Sequence, residues 1–469
     1  MTKSRPRLVA VLALACGAQL MVVLDGLVVN VALPQIRLDL DMTASALQWV
    51  VNGYLVTFGG LLLLAARAAD LIGHRRIFLG GIAVFTLASL AGGLAHDPTT
   101  LIAARVLQGV GAAALAPGSL SLLTATHTGE HRARALAIWS ATSSAAGALG
   151  LVLGGVVTDL LGWRWVLLIN VPIGVLLWLL TAMTLTTEQV RGKQALDVPG
   201  AVTITLGVGV LTYAISQTGS LGWTSSHVIG PLIAAIALLG LFALTEQRSP
   251  QPLVPLPILR RRNIVVANTI IAGLGAIMTA TMYFLSLYLQ QILGNSPLRT
   301  GLALVPMSIV LTGGALASKS LLPRIGIRRL IAAGGILMTC GLAWLATITP
   351  HSGYLHILGP TLVWAAGASI VLMPCVALAT TGIDAEHAGL ASGLINTART
   401  ISGAIGLAVL ATIASTVTTH STATDALQRT AHGYSAAIVA AAIIAGLVTV
   451  LAVLAPATST PIPGSKRDA

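Results

Sequence analysis

The most informative shortage in this sequence is charge. Only 9% of the 469 residues are charged and 55% are hydrophobic, which gives a mean hydropathy of +0.90. A soluble domain carries about 25% charged residues, so this composition excludes an ordinary soluble protein. Apolar runs of about 18 or more residues, each long enough to cross a bilayer as a helix, occur fourteen times along the chain. The sequence therefore predicts an all-α polytopic membrane protein.

Cysteine and long hydrophilic stretches are also scarce. The three cysteines, Cys16, Cys340 and Cys375, all fall in predicted spans, so they predict neither a disulfide framework nor a metal site. The longest hydrophilic stretches hold about sixteen residues, too few to fold alone, which disfavours a membrane sensor with a soluble output domain. Acids, histidines and cysteines form no cluster of the kind that an enzyme needs. We therefore expect no enzymatic activity and no metal.

The excess of basic residues follows the predicted topology. The formal net charge is +12, but with a cytoplasmic N-terminus only Arg37, Arg164, Arg299 and Arg429 fall in external segments. This bias follows the positive-inside rule and predicts that both termini are cytoplasmic. A nucleic-acid groove would need a soluble basic face, so we expect no nucleic-acid partner. Arginine far outnumbers lysine, which suggests a bacterial source rich in G and C and hence a bacterial plasma membrane.

One acid stands inside a span. Asp25 interrupts the apolar run from Leu8 to Ile36, and acids at membrane depth usually mark a proton or ion pathway. At 1.5 Å per helical residue, Asp25 and Arg105 of the fourth span both fall in the outer half of a core about 30 Å thick. A neighbouring Arg favours the ionised acid while burial favours the protonated acid. We expect this pair to carry proton coupling; the alternative is a static ion pair that joins spans one and four.

Two loops repeat. The segment 72–77 (Ile-Gly-His-Arg-Arg-Ile) matches 325–330 (Ile-Gly-Ile-Arg-Arg-Leu), eight spans later. Internal repeats are typical of secondary transporters. The spacing predicts a six-helix bundle at 1–186, two linker spans with flanking cytoplasmic segments at 187–262, a second six-helix bundle at 263–456 and a disordered cytoplasmic tail at 457–469.

Five segments together resemble one family. The chain is similar to the fourteen-span drug:proton antiporters of the major facilitator superfamily at segments 24–36, 67–76, 105–111, 150–155 and 396–399. The resemblance implies the major facilitator fold and a cytoplasmic gate that includes Asp70, Gly73 and Arg75. From the residues themselves, Asp70 could pair with Arg75 or with Arg134.

The fifth span has a face of small residues. Gly147, Gly150, Gly154 and Gly155 provide close helix approach, and the resemblance implies the antiporter motif. Leu151 stands where that motif usually has proline. This departure leaves open a uniporter, or an exporter of an endogenous metabolite.

Polar and aromatic side chains inside spans are the candidates for contact with substrate, because ligand cavities are mostly apolar with few polar groups. They are Asn30, Tyr54, Gln108, Trp139, Asn268, Tyr283, Asn396 and Arg399, together with Gln48, Asn52, Tyr288 and Gln291. With one intramembrane acid, the cavity suits neutral or singly charged amphiphiles. We expect a monomer that exports amphiphilic drugs or antibiotics by alternating access, with the proton gradient as its energy source and no cofactor.

Overall fold

The computed structural model describes residues 5–185, 196–381 and 385–454. The predicted tail 457–469 and much of the predicted segment 187–199 lie outside those residues. Within them every regular element is helical, and fourteen helical stretches are long and apolar enough to span a membrane. The predicted number of spans and the all-α class are thereby confirmed, while the cytoplasmic placement of the termini stays a prediction.

Sixteen α-helices and one π-helical turn make up the described chain. Their bounds in chain order are α1 Arg5–Asp39, α2 Ala44–Ile72, α3 His74–Gly93, α4 Pro98–Thr126, α5 Gly129–Leu161, α6 Arg164–Leu168, α7 Asn170–Thr184, α8 Val198–Leu221, α9 Ser226–Arg248, α10 Leu256–Leu259, α11 Arg262–Leu287, the π turn Tyr288–Ile292, α12 Pro297–Ile325, α13 Ile327–Leu345, α14 Tyr354–Thr380, α15 Ala385–His420 and α16 Ala426–Leu454.

Local sequence sets several helix starts. Thr43 caps α2 by accepting a hydrogen bond from the Ala46 amide, and Asp97 and Asp197 cap α4 and α8, each followed closely by a proline. An acceptor at the N-cap followed by proline in the first turn is a strong helix start. Hydrogen bonds from Thr100 hold the pKa of the Asp97 carboxyl below its usual range.

The chain divides into two compact units. The first comprises residues 1–253 and 285–305, and the second comprises residues 254–284 and 306–469. Our predicted boundaries at 186 and 262 follow the sequence repeat, and they stay a prediction. In the first unit, a core of side chains such as Met21, Phe78 and Phe85 joins α1, α3 and α4.

In the second unit, glycines let the helices approach closely. A Cβ on Gly341 of α13 would lie 2.4 Å from the backbone nitrogen of Trp364 on α14. A Cβ on Gly275 of α11 would lie 2.2 Å from the carbonyl oxygen of Arg399 on α15. Small residues at such crossings are typical of membrane helix packing, and here they fix α11 against α15.

The two repeated loops have the same local structure. Gly73 is the single residue between α2 and α3, and Gly326 is the single residue between α12 and α13. Both have positive φ, 106° and 85° respectively, a conformation that glycine adopts without a Cβ penalty. The sequence echo thus corresponds to one sharp connection used twice.

Candidate functional site

Asp25 and Arg105 form a buried ion pair inside the first unit. Each residue is 1% exposed, and Nη1 of Arg105 lies 2.5 Å from Oδ2 of Asp25. Arg105 also donates from Nε to the Val50 carbonyl over 2.9 Å, and its guanidinium lies 4.6 Å from the ring centroid of Tyr54. The charge-assisted bond and the aromatic face together offset the cost of burying the two charges.

Three further polar residues complete the cluster. Oδ1 of Asp25 accepts from Nε2 of Gln108 and from Nδ2 of Asn170, each over 3.0 Å. Gln108 also accepts from Arg105 through its Oε1 over 2.8 Å, and its Nε2 lies 2.7 Å from the Ser89 hydroxyl. Residues of α4 and α7 therefore meet at the carboxylate of α1, and Ser89 of α3 joins the network through Gln108, a predicted substrate residue.

Close packing explains why α4 brings its polar groups here. A Cβ on Gly109 would lie 2.4 Å from the Tyr54 carbonyl oxygen, and one on Gly111 would lie 2.7 Å from the Phe85 amide nitrogen. These two glycines follow Gln108 directly along α4. Gly109 brings α4 against α2, and Gly111 brings it against α3. Arg105 lies one turn earlier, where its guanidinium reaches α1.

Asn170 and Ser89 were missed by the sequence analysis. Asn170 is 2% exposed and is the first residue of α7, directly after the break at Ile169 that separates α6 from α7. Pro172 lies two residues further on and cannot donate to the Leu168 carbonyl, which accounts for a break at this place. An asparagine in an apolar run, followed closely by proline, is the signal that could have identified it.

Three of the four glycines on the α5 face lie at close contacts, and the role of the four as a packing motif stays a prediction. Cβ atoms added to Gly150 and Gly154 would lie 3.3 Å from a side-chain atom of Leu24 and 3.0 Å from the Val28 backbone, on either side of Asp25. A Cβ on Gly155 would lie 2.6 Å from the Pro297 carbonyl oxygen, whereas one on Gly147 would meet only Leu27, at 3.9 Å. The face is therefore tightest near Gly155.

The C-terminal end of α11 and the π turn that follows it also contact α1. Pro34 has no amide hydrogen, so the Asn30 carbonyl, four residues earlier, lacks its helical donor. The Ser286 hydroxyl donates to this carbonyl over 2.8 Å, and Nε2 of Gln290 donates to the Val31 carbonyl over 2.9 Å. Segment 285–305 belongs to the first unit. These bonds hold it to α1 at Asn30 and Val31, which follow Asp25 along the helix.

The predicted gate residues are arranged differently from the expected pairing. Asp70 is exposed and lies 3.8 Å from Nε2 of His74. Arg75 donates to the Ala182 carbonyl over 3.1 Å, and Arg134 is exposed. The expected pairing of Asp70 with Arg75 or Arg134 is therefore wrong in this structure, because His74, the first residue of α3 after the Gly73 connection, is the basic neighbour of Asp70. The role of Asp70, Gly73, Arg75 and Arg134 as a gate stays a prediction.

Several predicted substrate residues bond within their own unit. Nδ2 of Asn30 donates to the Gly26 carbonyl, Nδ2 of Asn268 to the Ile264 carbonyl, and Nε1 of Trp139 to the Ser119 hydroxyl. Tyr283 is buried against Phe284. Asn396 is exposed, with its Nδ2 3.4 Å from the Ser392 carbonyl.

Comparison with known proteins agrees with this architecture. A family model described as the Major Facilitator Superfamily matches residues 15–407. The chain belongs to this superfamily. It is therefore a membrane transporter and not an enzyme, and its fourteen spans and its bacterial relatives make it a multi-pass bacterial membrane protein.

Among its relatives, the chain is 42% identical to the cephamycin export protein of Amycolatopsis lactamdurans, covering 96% of this chain and 93% of that protein. It is 39% identical to the puromycin resistance protein of Streptomyces alboniger, covering 95% and 90%. Among solved structures, a bacterial homolog of the human lysosomal transporter Spinster matches with a TM-score of 0.70 at 15% identity, covering 97% of this chain and 98% of that one. That structural match shows the fold alone.

Proposed function

We propose that this transporter exports amphiphilic small molecules of the antibiotic type from the cytoplasm and couples their exit to proton entry. The observation that carries the proposal is the fully buried carboxylate of Asp25, held by donors from two other helices. The names of two relatives, a cephamycin exporter and a puromycin resistance protein, support the class of substrate. Acids at membrane depth support the coupling ion.

The hydrogen bonds of Asp25 link proton uptake to rearrangement. Its carboxylate accepts from Arg105, Gln108 and Asn170, and each of these groups presents an N–H to it. A protonated Asp25 has an O–H that needs an acceptor. Gln108 is fixed at both ends by Arg105 and Ser89, so Asn170 is the amide free to reverse and accept through Oδ1. Protonation thus changes the contact between α1 and α7.

We propose that this change biases alternating access. Protonation from outside would favour substrate release, and deprotonation toward the cytoplasm would restore the ion pair with Arg105. Within the second unit, the polar residues that would meet substrate are Asn396 and Arg399, because Asn268 already donates to a neighbouring carbonyl. Energy comes from the proton gradient, with no cofactor.

The experiment measures drug uptake into inverted membrane vesicles that carry the full chain, with a pH-sensitive dye inside; uptake into such vesicles corresponds to export from the cell. Addition of an exported drug should dissipate an imposed proton gradient, and an uncoupler should abolish drug transport. Asp25→Asn should remove both signals, because the amide cannot ionise. Asp159→Asn, the same change at an exposed position, is the matched control and should retain both.

Asp25→Asn also leaves the buried Arg105 without its anion, which is destabilising by about 3–5 kcal/mol. Gel filtration and thermal unfolding therefore accompany the assay, and Asp25→Glu tests whether a displaced acid restores coupling. Full, uncoupler-sensitive efflux by Asp25→Asn would remove Asp25 from the mechanism.

The second candidate is a uniporter, or an exporter of an endogenous metabolite, and Leu151 is the observation that favours it. Leu151 is buried, and its carbonyl oxygen would lie 2.3 Å from a Cβ on Gly301. This alternative would be supported if the wild-type protein transports its substrate without proton coupling and the Leu151→Pro variant gains that coupling.

A further inference from the structure

Arg399 is a half-buried cation that forms no ion pair with the described part of the chain. It lies on α15, where its Nε atom is fully buried and donates to no protein oxygen in the described part of the chain. None of the hydrogen bonds or ion pairs formed by the described residues involves its guanidinium, whereas Arg105 in the first unit uses both Nε and Nη1. The side chain is only partly exposed. An Arg inside a membrane protein normally pairs with an acid or with carbonyls.

The position of Arg399 makes this isolation costly. In the span Gly389–His420, Arg399 lies about 8 Å from the middle at 1.5 Å per residue, well inside a core of about 30 Å. The other charged side chains described on α11 to α16 lie within two turns of a helix end. Asp25 and Arg105 neutralise each other, so the described span interiors keep one uncompensated positive charge.

The side chains described on helices α11 to α16 include no acid. A bound ligand can supply the missing anion at this depth.

We propose that Arg399 binds the carboxylate of an amphiphilic, singly anionic substrate. The planar guanidinium matches a carboxylate with two parallel hydrogen bonds. Asn396 lies one turn earlier on the same face and is exposed, with only a long contact to the Ser392 carbonyl, so its amide is available to the same ligand. This inference rests on the proposed function and narrows its substrate to amphiphilic carboxylic acids.

The test uses three matched aromatic probes: anthracene-9-carboxylate, its methyl ester and the cation 9-(aminomethyl)anthracene. Binding to the purified full chain in lipid nanodiscs is followed by probe fluorescence. The wild-type protein should bind the acid at least about ten-fold more tightly than the ester or the amine, as expected for hydrogen bonds to a charged group.

Arg399→Gln should weaken acid binding by about ten-fold to a hundred-fold and abolish the preference over the ester. Arg399→Lys should retain part of the preference, because the charge remains and the planar fork is lost. Arg324→Gln makes the same chemical change at an exposed position and should leave the preference intact. Without ligand, Arg399→Gln should unfold at a higher temperature than wild type, because it removes a half-buried charge that forms no ion pair with the described part of the chain.

Absence of acid binding, or equal binding of acid and ester by the wild type, overturns the proposal. Equal weakening of all three probes in Arg399→Gln, with a lower unfolding temperature, also overturns it and assigns Arg399 a packing role. Failure of proton coupling in the vesicle assay would contradict the proposed function and leave these binding preferences unaffected, so the two failures are distinguishable.

Discussion

Asn170 donates a hydrogen bond to Oδ1 of Asp25 over 3.0 Å, and this bond joins the start of α7 to the middle of α1. The donor stands at the break between α6 and α7, where a change in one side chain can alter the direction of a helix. The first prediction concerns this bond.

Asn170→Leu should shift the pH profile of efflux to higher pH by about one unit. The ionised form of Asp25 loses a hydrogen bond to a charged group, which contributes about 1.5–3 kcal/mol, whereas the protonated form loses a neutral hydrogen bond, which contributes about 0.5–1.5 kcal/mol. The net difference of about 1–1.5 kcal/mol corresponds to about one pH unit. The other charged or titratable groups facing Asp25, Arg105 from α4 and Tyr54 from α2, are unchanged. The measurement is the initial rate of drug transport in the inverted vesicles, taken between about pH 5.5 and about pH 8.5. This range brackets the physiological pH at which groups with perturbed titration change charge.

Asn170→Gln keeps an amide in place and should shift the profile less than Asn170→Leu. A uniform fall in rate at every pH, with an unchanged midpoint, would mean that Asn170 only packs α7 against α1.

The glycine face of α5 provides the second prediction. Gly155→Ala should destabilise the protein by about 1–3 kcal/mol, the usual cost of overpacking, because its Cβ would lie 2.6 Å from the Pro297 carbonyl oxygen. Gly147→Ala is the matched control, since its Cβ would meet nothing closer than 3.9 Å. Thermal unfolding in detergent measures both, and equal unfolding temperatures would contradict the packing assignment.

The fold could be predicted from the sequence because its determinants are local. An apolar run of sufficient length must be helical in lipid, so the fourteen spans follow from composition alone. The echo of residues 72–77 at 325–330 correctly indicated a shared loop. The break at Ile169, for which Pro172 accounts, and the π turn Tyr288–Ile292 were not predicted.

The candidate site was only partly predictable. Asp25 and Arg105 were found because charge inside a span is rare, and their depth along each helix placed them together. Asn170 and Ser89 carry no charge, and nothing in their own sequence neighbourhood shows that they face Asp25. Gln108 was predicted as a substrate residue, since two of its hydrogen-bond partners, Asp25 and Ser89, lie on other helices and the sequence does not show that they face it.

The third prediction uses the repeated loop. Gly73→Ala and Gly326→Ala should each cost about 1–3 kcal/mol, the range for a residue held in a sparsely populated backbone region. Both glycines have positive φ, and a Cβ on either would meet nothing within 4 Å, so the cost is purely conformational. Gly80→Ala lies within α3 with the same open surroundings and should stabilise by about 0.5–1 kcal/mol. A loss of stability at Gly80 as large as at Gly73 would contradict this reading of the loop.

The fourth prediction concerns the carbonyl that Pro34 leaves free in α1. Ser286→Ala removes the donor that satisfies the buried Asn30 oxygen, and a buried acceptor without a partner costs about 1–3 kcal/mol. Pro34→Ala supplies an amide hydrogen four residues after Asn30, so the helix itself can then satisfy the same oxygen.

A double-mutant cycle separates this effect from general packing. In the Pro34→Ala background, Ser286→Ala should cost less than half of its cost in the wild type, because the oxygen already has a donor. Unfolding free energies of the four proteins in the same detergent give the interaction energy. Strictly additive costs would mean that Ser286 stabilises α11 by another contact and that Pro34 plays no part in holding segment 285–305 against α1.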